Sequence, residues 1–442
     1  MTPEADKNLD LELIRAHTPG TGGGFDMAQE KRWNVTQMEP AELESLLCKI
    51  AMAAWLSDRQ LDMALEFLRP LGEPLNTYHK ACVFAMRAAS SAQPVAMFKK
   101  AAADLKKLLH SIDKHDGRHV ASKVYNALGN VQAGLGERVR GKEAMAYLQA
   151  AAVSYRSARE HALRDEDPMQ QAKVTANMGL ALASLGERLE GAEGEFLLNQ
   201  AVAAHDEAAD LYISLERPRE LAQAMGSKGL VLLALGGRTK GLEGIQILKT
   251  AVDLLRRPLG MTRVGETSLE KATAQLNLGL ALCQLGERIP EETGAIMAQE
   301  AVELFDGALA QISREGFPSL WAKIKTSKAN ALSILSQKKG AHGRKELREA
   351  VEAFEEVLTL LGRDTAEQQW ALTQMSMGHA LARLSRICGP KEEQDYIDMA
   401  IAAYDEAISA FGHDLSSYAE ATMAGKLALV RLRLRRELGF QE

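Results

Sequence analysis

The chain has 442 residues, with 53 Lys or Arg against 59 Asp or Glu, a net charge of −6, and 46% hydrophobic residues. That balance excludes a disordered chain, no apolar run reaches the roughly 18 residues of a membrane span, and the mild acidity leaves no electrostatic footprint for nucleic acid or anionic lipid. Four cysteines, Cys48, Cys82, Cys283 and Cys388, stand too far apart for a metal or redox motif and read as small buried residues of a reducing compartment.

Residues 1–38 are expected to form a flexible tail or to hold a short docking helix. The start is polar and acidic and lacks the basic-then-apolar order of a secretory signal, so a cytoplasmic location is expected. Leu9, Leu11, Leu13 and Ile14 sit among acids, followed by the Gly-rich linker 18–24. Residues 39–117 look like one or two worn helical repeats forming an N-terminal cap. Ala101, Leu105 and Leu108 keep the register of the later repeats, and Asn76 stands 50 before Asn126.

From 118 to 418 the sequence repeats six times. Leu-Gly-Glu-Arg occurs at 135–138, 185–188 and 285–288, and Leu-Gly-Gly-Arg at 235–238. The glycines Gly136, Gly186, Gly236 and Gly286 are spaced by 50, and Ser336 and Ser385 continue the series. Seven residues earlier stand Gly129, Gly179, Gly229 and Gly279, then Ala329 and Gly378. A third marker is an Ala, aromatic, Ala pattern: Ala151, Tyr155, Ala158; Ala301, Phe305, Ala308; Ala400, Tyr404, Ala407. His205 replaces the aromatic between Ala201 and Ala208.

Each unit reads as two helices, for example 171–185 and 195–213, because apolar residues recur at helical spacing. No segment alternates with a period of two, so an all-α fold is expected. Gly186 is expected to stop the first helix in a left-handed cap. The early glycines let the two helices approach, and the aromatics are expected to fill the gap toward the next unit. Residues 419–442 are expected to form a C-terminal capping helix, closed by the basic residues Arg431, Arg433, Arg435 and Arg436.

These markers resemble the tetratricopeptide repeat family, in a long-repeat bacterial variant, with Gly279, Gly286, Ala301, Phe305 and Ala308 matching in order. The resemblance covers about residues 118–440 and also rests on the Trp-Ala pairs 321–322 and 370–371. The departure is length. Gly286 and Ala301 are 15 apart where the family spacing is 5, which places ten extra residues in the turn and the start of the second helix. The resemblance implies an α-solenoid of stacked antiparallel hairpins, a right-handed superhelix whose concave face is lined by first helices.

On that face one column holds Asn130, Leu180, Leu230, Leu280, Asn330 and His379. It reads either as a groove for an amphipathic or extended peptide or as packing between first helices. Lys173 with Asn177, four apart, has the residue types with which some family members grip a partner's carboxylate; a solvated lysine beside a structural asparagine fits as well. The candidate partner-binding residues are therefore Lys173, Asn177, Leu180, Leu230, Asn277, Leu280 and Asn330. The arginines Arg138, Arg188, Arg238 and Arg288 are placed in the turns, either meeting an anion or pairing with glutamates five residues on. The cluster His110, Asp113, His115, Asp116 and His119 reads as a unit boundary.

No nucleophile, acid–base or phosphate-loop constellation is present, so no catalytic residue, metal or cofactor is expected. The expected function is a noncatalytic scaffold or adaptor that binds another protein or peptide, without nucleic acid or membrane insertion. The alternative is a regulatory sensor whose array binds a small molecule or peptide, with residues 9–14 able to occupy the groove in cis. A helical-repeat enzyme ranks third, and self-association through the end helices stays open.

Overall fold

The computed structural model describes residues 75–88, 94–112, 118–260, 267–363 and 367–411, with a few isolated positions near either end. The expectations for the 1–38 tail, for most of 39–74 and 419–442, and for residues 113–117 concern positions outside the described residues. Among the described residues there are fourteen α-helices and no strand. In order they are α1 (Leu75–Ala88), α2 (Pro94–Ile112), α3 (Arg118–Arg138), α4 (Gly141–Arg164), α5 (Pro168–Arg188), α6 (Gly191–Ser214), α7 (Pro218–Arg238), α8 (Gly241–Gly260), α9 (Ser268–Arg288), α10 (Glu291–Leu309), α11 (Pro318–Lys339), α12 (Arg344–Leu360), α13 (Glu367–Ile387) and α14 (Pro390–Phe411). A short 3₁₀ turn, Gly340–Gly343, joins α11 to α12.

The chain divides into two units, residues 1–181 and 182–442. In the first, Leu43 and Leu47 join α1 to α3 in one core with Phe84, Phe98, Leu105 and Leu135. A second cluster sets Ala151, Tyr155 and Ala158 of α4 against Val174 and Ala181 of α5. In the second unit α7 packs with α8, α9 with α10, α11 with α12 and α13 with α14, and each hairpin packs on the next. This is a tetratricopeptide-like stack of helix hairpins, as the glycine and alanine markers require.

The extra repeat length lies in the helices. First helices α3, α5, α7, α9 and α13 each have 21 residues, and the turns after α3, α5, α7 and α9 have two. Gly186 and its equivalents do not stop the first helix: α5 runs on to Arg188. Gly186 is buried within it, because a Cβ there would meet Leu198 Cγ at 3.1 Å and Gly194 O at 3.0 Å. The left-handed glycines come five residues later: Gly141, Gly191 and Gly241 have φ of 60, 66 and 69°.

The early glycines face the aromatics of their own hairpin, not the next unit. A Cβ on Gly129 would meet Tyr155 Cε1 at 2.5 Å, one on Gly279 Phe305 Cε1 at 2.5 Å, and one on Gly378 Tyr404 Cε1 at 2.9 Å. Ring area therefore fills the space left by an absent side chain, where larger residues would overpack. Between hairpins, Glu216 at φ 54° lets Arg217 N–H reach Tyr212 O at 2.9 Å, the six-to-one bond that closes a helix end. Pro218 then opens α7 with φ already set for a helix.

The sequence places the turn arginines in inserted loops, meeting an anion or pairing with glutamates. Instead they end the first helices: Arg138 and Arg188 donate to Gly134 O and Ser184 O of their own helices, and Arg238 and Arg288 cap the preceding hairpin. Arg238 Nη1 donates to Gly186 O (2.9 Å) and Leu189 O (2.7 Å), and Nη2 to Glu187 O (2.6 Å). Arg288 repeats this on Gly236 O (2.7 Å), Thr239 O (2.8 Å) and Gly237 O. Lys338 does the same for Glu287 O (3.2 Å) and Ile289 O (2.8 Å). Each cation thus satisfies orphan carbonyls at the negative end of the previous first helix. Glu143, expected to pair with Arg138, pairs with Lys99 at 3.4 Å.

Arg288→Met should lower the free energy of urea unfolding by about 1–3 kcal/mol, the usual worth of hydrogen bonds from a charged donor. Arg288→Lys should recover part of the loss, because Lys338 already performs the task with an ammonium. Equal stability of all three chains would reject the capping role.

Candidate functional site

The candidate site is the exposed side of the first helices. In the second unit α7 touches α9, α9 touches α11 and α11 touches α13, so their equivalent positions stand side by side. Leu230 on α7 and Leu280 on α9 are half-buried, Asn277 is half-buried, and Asn330 on α11 is exposed. Neither side-chain amide, of Asn277 or of Asn330, is hydrogen-bonded among the described residues. Four of the expected residues are thus brought onto three successive first helices of one unit. The side chains of both leucines are half-exposed.

Lys173, Asn177 and Leu180 lie on α5 in the first unit. Lys173 is exposed, and Leu180 is 47% exposed. Asn177 is engaged: its Nδ2 donates to Asn126 Oδ1 (3.0 Å) and Asn130 Oδ1 (3.3 Å). Tyr155 Oη donates to the same Asn130 Oδ1 at 2.8 Å. This amide ladder ties α5 to α3 and holds Asn130 beside the Gly129–Tyr155 contact. Asn177 therefore has a structural task in addition to any role at a surface.

Two features escaped the sequence reading. Arg383 of α13 lies on the same side, with Nη1 donating to Ser333 O (2.9 Å) and Gln337 Oε1 (3.4 Å) of α11. Burial, with the neighbouring Arg386, pulls its guanidinium below the ordinary arginine range. Gly194, Gly244, Gly294 and Gly343 form the other, a fourth glycine series at the start of the second helices, with the period of 50 in plain view until its last step of 49. The capping cations reach across it. A Cβ on Gly194 would stand 2.6 Å from Arg238 Nη1, and one on Gly294 2.9 Å from Lys338 Cε.

Among the described residues no group of three His, Cys, Asp or Glu could hold a metal ion. No helix of the described residues is long and apolar enough to cross a membrane. Of the basic C-terminal residues, Arg433 forms an ion pair with Asp405 at 2.7 Å.

No protein-family model matches the chain, and no curated protein matches it. Among solved structures, it is similar to a Rap protein complexed with competence and sporulation factor, at 13% identity and a TM-score of 0.44, over 90% of this chain and 99% of that one. The apo form of RapI gives 11% identity and a TM-score of 0.45, over 90% and 97% of the two chains. Yeast Tom70 gives 14% identity and a TM-score of 0.36, over 98% and 80%.

Proposed function

We propose that the chain is a noncatalytic protein-interaction scaffold whose first-helix face binds a segment of a partner protein. The observation that carries this reading is the half-exposed pair Leu230 and Leu280, flanked by the uncommitted amides of Asn277 and Asn330 on neighbouring helices. Leucines buried by a partner supply affinity, and free amides can pair with an extended backbone, which is how a preformed groove takes a peptide. Lys173, Asn177 and Leu180 are read as the corresponding face of the first unit.

Leu230→Glu tests the reading. The partner captured from native lysate by cross-linking to the wild-type chain should be lost with Leu230→Glu, while helical circular dichroism stays the same. Undiminished capture would sink the groove assignment.

A further inference from the structure

The charges of α11 and α13 are lopsided in a chain of net charge −6. Helix α11 carries five lysines and no acid, and α13 carries two arginines and only Glu367, in its first turn. Four of the lysines are answered. Lys325 pairs with Glu356 (2.6 Å), Lys328 with Asp306 (2.8 Å) and Glu349 (3.2 Å), and Lys339 with Glu346 (2.6 Å). Lys338 caps the end of α9. The remaining one, Lys323, is exposed, and no carboxylate of the described residues lies within ion-pair distance of it or of Arg383.

Arg383 is the more telling of the two. It is half-buried, holds only neutral acceptors on α11, and stands near a second cation, Arg386. A partly desolvated guanidinium flanked by a like charge is unfavourable until an anion reaches it. Its planar fork suits a carboxylate, which it can bind through two donors. Leu280 and Leu230 lie two and three first helices back along the same face. With adjacent helix axes about 8–10 Å apart, α7 to α13 spans about 25–30 Å. An extended segment of about ten residues covers that distance.

Resting on the scaffold reading, we infer that the partner segment is apolar at one end and acidic at the other. Its apolar side chains lie over Leu230 and Leu280, and an internal Asp or Glu reaches Arg383. The test uses two fluorescein-labelled, C-terminally amidated decapeptides with the full chain. Both have a leucine-rich half; the second half carries two aspartates in one and two asparagines in the other.

By fluorescence anisotropy the aspartate peptide should bind about tenfold more tightly than the asparagine peptide, and the difference should shrink in high salt. Arg383→Gln should remove the preference, Arg383→Lys should keep part of it, and Lys323→Gln, ten residues before Ser333 on α11, should leave it unchanged. Equal binding of the two peptides, no binding of either, or a preference untouched by Arg383→Gln would each overturn the inference. If both peptides bind equally and Leu230→Glu abolishes both, the scaffold reading stands and the charge assignment falls. If Leu230→Glu changes neither, the scaffold reading falls with it.

Discussion

Replacing Gly244 by alanine should destabilise the chain by about 3 kcal/mol, although alanine is the better helix former by about 1 kcal/mol. Gly244 lies in the first turn of α8, folded against the turn that precedes it. A Cβ there would fall inside van der Waals contact of the Thr239 carbonyl oxygen and 2.8 Å from Arg288 Nη1. The carbonyl belongs to backbone, and the guanidinium is fixed by three acceptors, so neither can yield cheaply. Relief requires opening the two-residue turn or expelling Arg288, which uncaps α7 as well.

Urea unfolding of three chains decides the matter. Gly226, in the interior of α7, has nothing within 4 Å of where its Cβ would stand. Gly226→Ala should therefore stabilise by about 0.5–1 kcal/mol. Gly244→Ala should move the opposite way, and should be strongly non-additive with Arg288→Met, since both act on one junction. A stabilised Gly244→Ala chain would reject the junction.

Periodicity made the hairpins legible. Apolar positions at helical spacing and three small-residue series, each repeating every 50 residues, required two helices per unit, and two helices per unit are found. What periodicity could not assign was the task of each glycine. Gly186 and Gly191 recur with the same period, yet one is packed in a helix and the other turns the chain at φ 66°. A missing side chain serves close approach and left-handed backbone alike, and the letter is the same.

The arginines misled for a related reason. The visible partner of Arg238 was a glutamate five residues on; its true partners are carbonyls 49 to 52 residues back. Backbone acceptors have no letter in a sequence. At the candidate face, the leucine and asparagine columns were readable from register alone. Arg383 was not, because its interest lies in the carboxylate it lacks, and that is a property of the assembled helices.

Substituting His205 by phenylalanine should stabilise the chain and flatten its response to acid. His205 occupies the position held by Tyr155, Phe305 and Tyr404 in other hairpins, and it is 1% exposed. Neither ring nitrogen has a hydrogen-bond partner in the protein. Burial pulls its pKa down to about 4, opposed by Asp206 and assisted by Lys228. Those two form an ion pair of their own at 2.5 Å.

The sign follows from the depressed folded pKa. Between the unfolded value near 6.5 and the folded value near 4, the unfolded chain holds the proton and the folded chain does not. Stability is therefore complete above pH 6.5 and falls as pH drops toward 4. Taking the native chain from pH 7.5 to 5 should cost about 2 kcal/mol through this residue. In His205→Phe that component disappears while every other titrating group stays in place, so the difference in slope isolates it. At pH 7.5 the variant should also gain about 1–3 kcal/mol, because two unsatisfied buried nitrogens give way to carbon. Urea unfolding of both chains at the two pH values measures each component. Parallel losses from pH 7.5 to 5 would mean that the imidazole finds a proton, or a partner, inside the folded chain.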